Sequence, residues 1–245
     1  MGVLSGKSAL VTGASRGIGR EIVRAFSREG AQVAAAARSK FDLEALCAEV
    51  AAEGGRATPV VLDLRSEESI INAISTAKAA LGRIDVLVNN AAIIALKKIT
   101  ETSSELWDEV MSTNVRGVFI ACREVLPEMI ERRSGRIINI GSTAGRRGYV
   151  DQGAYCASKH ALAGLSKVLA IEAQPYNVRV QMLSPGGVLT GLSSELRSSR
   201  GEAEDSPEWM TAAEIAQAAV YLCSQDGAAI SDELILRRFA AEPWR

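Results

Sequence analysis

Near the start of the chain a glycine-rich turn sits between a strand and a helix, and few folds accommodate that arrangement. VTGASRGIGR overlaps the end of the apolar run Ser8–Thr12 and opens the helical pattern Gly17–Arg28. A backbone that brings its N–H groups close to a phosphate cannot carry bulky side chains there, and a helix N-terminus adds free donors and a positive dipole. Gly13, Gly17 and Gly19 supply such a turn, in the spacing T-G-x-x-x-G-x-G rather than the commoner G-x-G-x-x-G. A glycine triplet alone describes any tight strand-to-helix turn. Its place between two such elements points to a dinucleotide site.

The alternation continues to the far end. Further strand candidates are Gln32–Ala37, Thr58–Leu62, Val86–Val88, Arg136–Ile140, Val178–Leu183 and Glu233–Leu236. Helical patterns lie between them at Leu43–Glu53, Glu67–Leu81, Leu106–Arg132, Ala154–Gln174 and Ala212–Ser224. Several strand runs are apolar at consecutive positions, which suits strands covered on both faces in a parallel sheet. The expected fold class is α/β: a single Rossmann-type doubly wound domain with a seven-stranded parallel sheet and right-handed crossovers. A (β/α)₈ barrel is the rival, disfavoured because an eighth strand is missing and the glycine turn belongs to the open fold. With no internal repeat and no Pro/Ser-rich linker, residues 1–245 read as one domain. Segment 191–207, rich in Ser, Glu and Arg, reads as a substrate loop, because long loops in compact domains are often lids.

Charge and cysteine usage exclude several partners. Twenty-eight basic against 29 acidic residues leave a net charge of -1, no reason to expect nucleic acid or an anionic membrane. Cys47, Cys122, Cys156 and Cys223 are too scattered for a C-x-x-C metal or redox pair, so a reducing compartment and no metal are expected. MGVLSGKSALVTG lacks the apolar run of a signal peptide, and no stretch reaches the roughly 18 apolar residues of a membrane helix. A soluble, cytoplasmic protein is the expectation.

The second strand bears on which dinucleotide binds. NAD sites usually end this strand with an acid that hydrogen-bonds the ribose 2′-hydroxyl. Here AAAARSK places Arg38 and Ser39 after Ala37, with no acid until Asp42, and Arg16 projects from the glycine turn toward the same region. Either arginine alone would be an ordinary solvated residue. Two guanidiniums together match a 2′-phosphate, so NADP(H) is expected in preference to NAD(H).

Tyr155 and Lys159, four apart in AYCASKHALAGL, share one helical face. Carbonyl reduction needs a proton donor beside the carbon that exchanges hydride. A phenol titrates ordinarily at about 10, and a neighbouring ammonium and an oxidised nicotinamide, both positive, should favour its phenolate. A Y-x-x-x-K pair by itself also describes a surface Tyr packed on a Lys stem. Ser142 strengthens the pair, because it follows the strand RIINI where a hydroxyl can meet a substrate oxygen. Asn114 lies inside a helical pattern that its amide disfavours. Gly13, Arg38, Asp63, Asn89, Ser142 and Pro185 all fall at or just past strand carboxyl ends, where open α/β sheets bind ligands.

With these motifs together, the chain resembles the short-chain dehydrogenase/reductase family over nearly its full length, 3-oxoacyl carrier-protein reductases among its members. TGASRGIG resembles that family's cofactor turn, which adds Ser15 and Ile18, and Asp63-Leu64 resembles its adenine-contacting pair. NNAA resembles its N-N-A-G segment, adding Asn89 and Ala91 to the cofactor site. Asn114, Ser142, Tyr155 and Lys159 match its catalytic tetrad, and PGGVLT its P-G-x-x-x-T segment. The resemblance implies that Lys159 also holds the nicotinamide ribose and that Asn114 orders a relay water. It further implies that Pro185, Gly186, Val188 and Thr190 border the nicotinamide, and that copies join through Leu106–Arg132 and Ala154–Gln174 as a homodimer or homotetramer. Ala92 stands where the family has glycine, and the tail ISDELILRRFAAEPWR departs from the glycine-rich ending of 3-oxoacyl reductases.

The expected activity is NADP(H)-dependent reduction of a ketone to a secondary alcohol, a 3-oxoacyl thioester being one candidate. Tyr155 acts as acid/base and Ser142 steadies the oxyanion. A polyol, sugar or hydroxysteroid dehydrogenase is the enzymatic alternative, and a catalytically idle nucleotide sensor or scaffold the non-enzymatic one. Among other residues, His160 follows Lys159 directly and points about 100° from the Tyr155–Lys159 face. Cys156 reads as a small buried residue, and the run Glu101, Glu105, Asp108 and Glu109 as a solvated helix start. Arg146 and Arg147 stand at the expected rim of the substrate cleft, where an acidic group would be attracted.

Overall fold

In the computed structural model, residues 2–194, 198 and 209–241 are described. The first half runs β1 (Ser8–Thr12), α1 (Gly17–Arg28), β2 (Gln32–Ala37), α2 (Lys40–Ala52), β3 (Arg56–Val61), α3 (Glu67–Leu81), β4 (Val86–Asn89) and α4 (Ser104–Met111). The second runs α5 (Gly117–Glu131), β5 (Gly135–Ile140), α6 (Gly153–Ala173), β6 (Val178–Pro185), β7 (Val188–Leu189), β8 (Met210–Thr211), α7 (Ala212–Cys223) and β9 (Glu233–Leu236). Seven strands form one parallel sheet in the order β3-β2-β1-β4-β5-β6-β9. The chain starts mid-sheet, winds to one edge and returns to pair β4 with β1. That reversal opens a crevice at the strand carboxyl ends.

Alternate residues explain the two covered faces. Ala9 and Val11 of β1 pack under α1, α2 and α7, while Leu10 between them packs under α3, α5 and α6. Pro59 sits in β3, the edge strand, where its missing N–H costs no ladder bond to a further strand. The hydroxyls of Ser39, Ser66, Ser103 and Thr211 each accept an N–H at the starts of α2, α3, α4 and α7. Inside the sheet, Asn89 of β4 lies opposite Asn139 of β5. Asn89 Nδ2 donates to Asn139 Oδ1 at 2.9 Å, and Asn139 Nδ2 to Ser166 Oγ of α6 at 2.8 Å.

One expectation needs adjustment. The single helix over Leu106–Arg132 is α4 and α5 separated by a π-turn, Ser112–Arg116. The wider turn carries Asn114, whose amide bonds outside the helix, and the absent side chain of Gly117 lets it close on the Leu64 carbonyl. The short parallel pair of β7 and β8 has no periodicity to announce it. Of the substrate loop 191–207, only residues 191–194 and 198 are described, with Gly191–Ser193 forming a 3₁₀ turn; the rest lies outside the described residues. Among the described residues no helix is long and apolar enough to cross a membrane.

Candidate active site

A cavity of about 1180 Å³ lies across the carboxyl ends of β1 to β6, with Gly13, Ala37, Leu62, Asn90, Ile140 and Pro185 in its wall. The glycine turn forms one end. Gly13 adopts φ +68°, and a Cβ there would sit 2.7 Å from the Ala91 Cα. A Cβ on Gly19 would sit 2.3 Å from the Gly13 carbonyl oxygen. Asn90 locks the turn by donating through Nδ2 to the Thr12 and Gly13 carbonyls at 2.8 and 3.2 Å. Thr12 Oγ1 accepts from the Asn90 and Ala91 N–H groups at 3.0 and 3.1 Å.

At the head of α1, Arg16 is the N-cap residue, but its side chain makes no capping bond and the first turn has no acid. The leading N–H groups are thus left for an anion. Ser15, Arg16, Gly17 and Ile18 line the cavity, with Arg38, Ser39, Asp63 and Leu64 beside them. Arg16 and Arg38 are exposed, and neither has a carboxylate partner among the described residues. Asp63 is different. Hydrogen bonds from Arg65, with the Arg38 charge adding to them, hold its carboxyl down at about 2.

Tyr155, Ser142 and Lys159 meet at the other end. Tyr155 is buried, with the Ser142 hydroxyl near enough to favour its phenolate, and Ser142 Oγ accepts from the Ala144 N–H at 3.1 Å. Lys159 Nζ lies 5.7 Å from the Tyr155 ring centroid and donates to the Ile140 carbonyl at 2.8 Å. Burial pushes the phenol up to about 12, against a smaller downward pull from Ser142, and pushes the Lys159 amine down to about 8. Loss of solvation is the largest influence on both groups. Pro185, Gly186, Val188 and Thr190 line the cavity here, as does Ala91.

Three expected site residues are not in the wall. Asn89 is buried beneath it because it still belongs to β4, and the first residue past the strand is Asn90. Gly19 serves the turn from behind, by admitting the Gly13 carbonyl. Asn114 Oδ1 accepts from the Ile93 N–H at 2.9 Å, while its Nδ2 donates to the Ile93 carbonyl and to Ser158 Oγ. Ser158 Oγ in turn donates to the Tyr155 carbonyl at 2.7 Å. Sequence reasoning missed Asn90, Ser158 and Tyr149. Asn90 had a signal, since a strand ending at Asn89 makes its neighbour the exposed one. Ala92 takes the glycine position without strain, because the non-glycine residues with positive φ among those described are Arg133, Asp151 and Asn177. His160 is exposed and folds back to the Cys156 carbonyl at 2.8 Å. Arg146 pairs with Glu233, whereas Arg147 has no acidic partner among the described residues.

Burial of Lys159 has a consequence for stability. Its folded value of about 8 lies below its ordinary 10.5, so between those pH values the unfolded chain binds more protons there. Its stability contribution therefore rises with pH through that window, until deprotonation of Tyr155 in the unfolded chain opposes it above pH 10. In urea unfolding without cofactor, the stability advantage of Lys159→Met over wild type should shrink by about 2 kcal/mol between pH 7.5 and 10. A constant difference would mean that the amine is solvated.

The chain matches the family model described as short chain dehydrogenase over residues 7–201. It is 34% identical over 241 residues to the 3-oxoacyl-[acyl-carrier-protein] reductase of Thermotoga maritima, covering 95% of this chain and 96% of that one. To the D-threitol dehydrogenase of Mycolicibacterium smegmatis it is 37% identical over 233 residues, with 93% and 90% covered. Among solved structures, a metagenomic short-chain oxidoreductase in complex with NADP superposes with a TM-score of 0.83 at 34% identity, covering 96% of this chain and 98% of that one. Sheet order and site define an oxidoreductase of the Rossmann type. The chain belongs to the short-chain dehydrogenase family.

Proposed function

We propose that residues 1–245 act as one catalytic unit that reduces a ketone to a secondary alcohol with NADPH, with segment 191–207 as its substrate loop. A 3-oxoacyl thioester is the candidate substrate class suggested by similarity to the Thermotoga reductase. The observation that carries the reading is a buried phenol beside Ser142, one helical turn from a buried lysine, in the same cavity as an uncapped helix start.

The residues present fit a dinucleotide. Gly13 and Gly17 hold the positive φ that a tight phosphate-facing turn needs, the α1 N–H groups are uncapped, and two guanidiniums without acid partners among the described residues border the wall. When bound, NADPH supplies hydride to the carbonyl carbon. Ser142 and Tyr155 donate to the carbonyl oxygen as charge develops on it. A phenol held up at about 12 is protonated at neutral pH, which suits it to give its Oη proton in the reductive direction. The phenolate left behind has the Lys159 ammonium 5.7 Å from its ring centroid. Asn114 acts as a positioning residue, bracing the start of α6 through Ser158.

Cofactor choice tests the arginines. Each charge-assisted bond to a 2′-phosphate contributes about 1.5–3 kcal/mol, or roughly ten- to a hundredfold in affinity. Arg38→Ala should raise KM for NADPH by that factor and leave KM for NADH nearly unchanged, read from initial rates with each cofactor. Equal effects on both would show that Arg38 is a solvated bystander.

A second reading keeps the machinery and reverses the flow: oxidation of a polyol, favoured by the similarity to D-threitol dehydrogenase. A panel of a 3-oxoacyl thioester, simple ketones and tetritols separates the two. We place the enzyme in the cytoplasm, in keeping with four free cysteines. A homodimer or homotetramer joined through α5 and α6 accords with the exposed Phe119, Val168 and Ile171 on those helices.

A further inference from the structure

The cavity is electrically lopsided. The acids in its described wall, Asp42, Asp63 and Glu109, all lie toward the Arg16–Arg38 end, on α2, after β3 and on α4. Besides Lys159, the charged wall residues around the Ser142–Tyr149 loop are Arg146, Arg147, Arg237 and Arg238. Two of these are engaged. Arg146 pairs with Glu233, which also accepts from Ser184 Oγ at 2.7 Å, and Arg238 packs on the Trp209 ring at 4.9 Å.

Arg147 is held but not neutralised. Its Nε donates to the Tyr149 hydroxyl at 2.8 Å, and its guanidinium lies 4.8 Å from the centroid of that ring. The same hydroxyl shares a 2.9 Å hydrogen bond with Thr143, the residue after Ser142. Among the described residues the terminal nitrogens of Arg147 have no acceptor. Arg237 uses Nη1 on three carbonyls of its own tail, at 2.7–3.0 Å, and leaves its other nitrogens without an acceptor among those residues. Its Cα and the Thr143 Cγ2 both come within 3.8 Å of where a Cβ on Gly186 would stand, so the tail and the Thr143 loop converge beside Gly186. A guanidinium fixed at Nε with both terminal nitrogens open is preorganised for a bidentate oxyanion, and a cleft lined by one sign of charge favours such a ligand.

We propose that the ketone substrate carries an anionic oxygen group, a carboxylate or a phosphate, which Arg147 binds and Arg237 supports. This rests on the ketone-reductase reading and narrows its substrate class. It also divides the two rim arginines, with Arg147 binding the anion and Arg146 tying the loop to β9. Tyr149 is a positioning residue.

The test is isothermal titration of matched pairs, with and without NADP⁺: 4-oxopentanoate against its methyl ester, and dihydroxyacetone phosphate against dihydroxyacetone. We expect at least one anion to bind about tenfold or more tightly than its neutral counterpart, the pair identifying carboxylate or phosphate. Arg147→Ala should abolish that preference with affinity for the neutral compound unchanged. Tyr149→Phe should weaken it in part, and in turnover should raise KM for the anion with little change in kcat. No preference in either pair, or one that survives Arg147→Ala, overturns the proposal. Anion preference with no NADPH-dependent turnover of any ketone would instead overturn the reductase reading and leave the anion site standing.

Discussion

Tyr155→Phe is expected to lower kcat for ketone reduction by about a thousandfold while the dissociation constant for NADPH stays within a factor of two or three. A positioned acid contributes about 10² to 10⁴ in rate. The nearby phenol of Tyr149 is engaged with Thr143 and Arg147 and does not take over the place of Tyr155. Phenylalanine keeps the ring that packs with Ala144, Cys156 and the partly buried Ile94 and Tyr149, so the fold should tolerate the change. Steady-state rates, with NADPH binding followed by fluorescence, separate the two effects. A kcat within tenfold of wild type would remove Tyr155 from the chemistry. Parallel loss of NADPH binding would mean that the hydroxyl shapes the cofactor site instead.

Gly19→Ala should be nearly as damaging, by another route. The new methyl would stand 2.3 Å from the Gly13 carbonyl oxygen and 2.4 Å from Asn90 Nδ2, the same amide that holds that carbonyl in place. Neither can retreat without opening the turn. Overpacking of this kind costs about 1–3 kcal/mol, and the displaced donors should weaken NADPH by about a hundredfold. Gly227, in the turn between α7 and β9, provides the control, because a Cβ there meets nothing within 4 Å. Gly227→Ala should stabilise the protein by about 0.4–1 kcal/mol and leave cofactor affinity alone. Urea unfolding and NADPH titration of the two variants give the comparison. Equal behaviour would show that the turn yields easily.

The sheet was legible because strands covered on both faces leave continuous apolar runs, as in Ser8–Thr12 and Gln32–Ala37, and helices between them leave a longer period. The cavity wall was legible in part because strand ends mark it: Gly13, Arg38, Asp63, Ser142 and Pro185 could be placed by counting to the end of a run. What escaped depends on contacts between distant segments. An extra residue in the π-turn does not disturb the apolar period enough to be seen, yet it aims Asn114 at Ile93 and Ser158. Arg146 and Arg147 look equivalent until Glu233, in the last strand, captures one of them. The direction of the Tyr155 shift follows from burial by the whole fold, which the neighbouring Lys159 alone does not convey.

The amide ladder through the sheet has a consequence for how the chain finds its pairing. Parallel strands far apart in sequence meet without a hairpin to align them, and short apolar runs such as Val86–Val88 and Ile137–Ile138 tolerate slippage. Asn89 and Asn139 remove that freedom. Any other alignment of β4 and β5 leaves an amide against hydrocarbon, an uncompensated loss of about 1–3 kcal/mol for each. The pair acts as a key cut for one lock: laboratory evolution of this enzyme should accept changes at 89 and 139 together, with Ser166 following, and reject them singly.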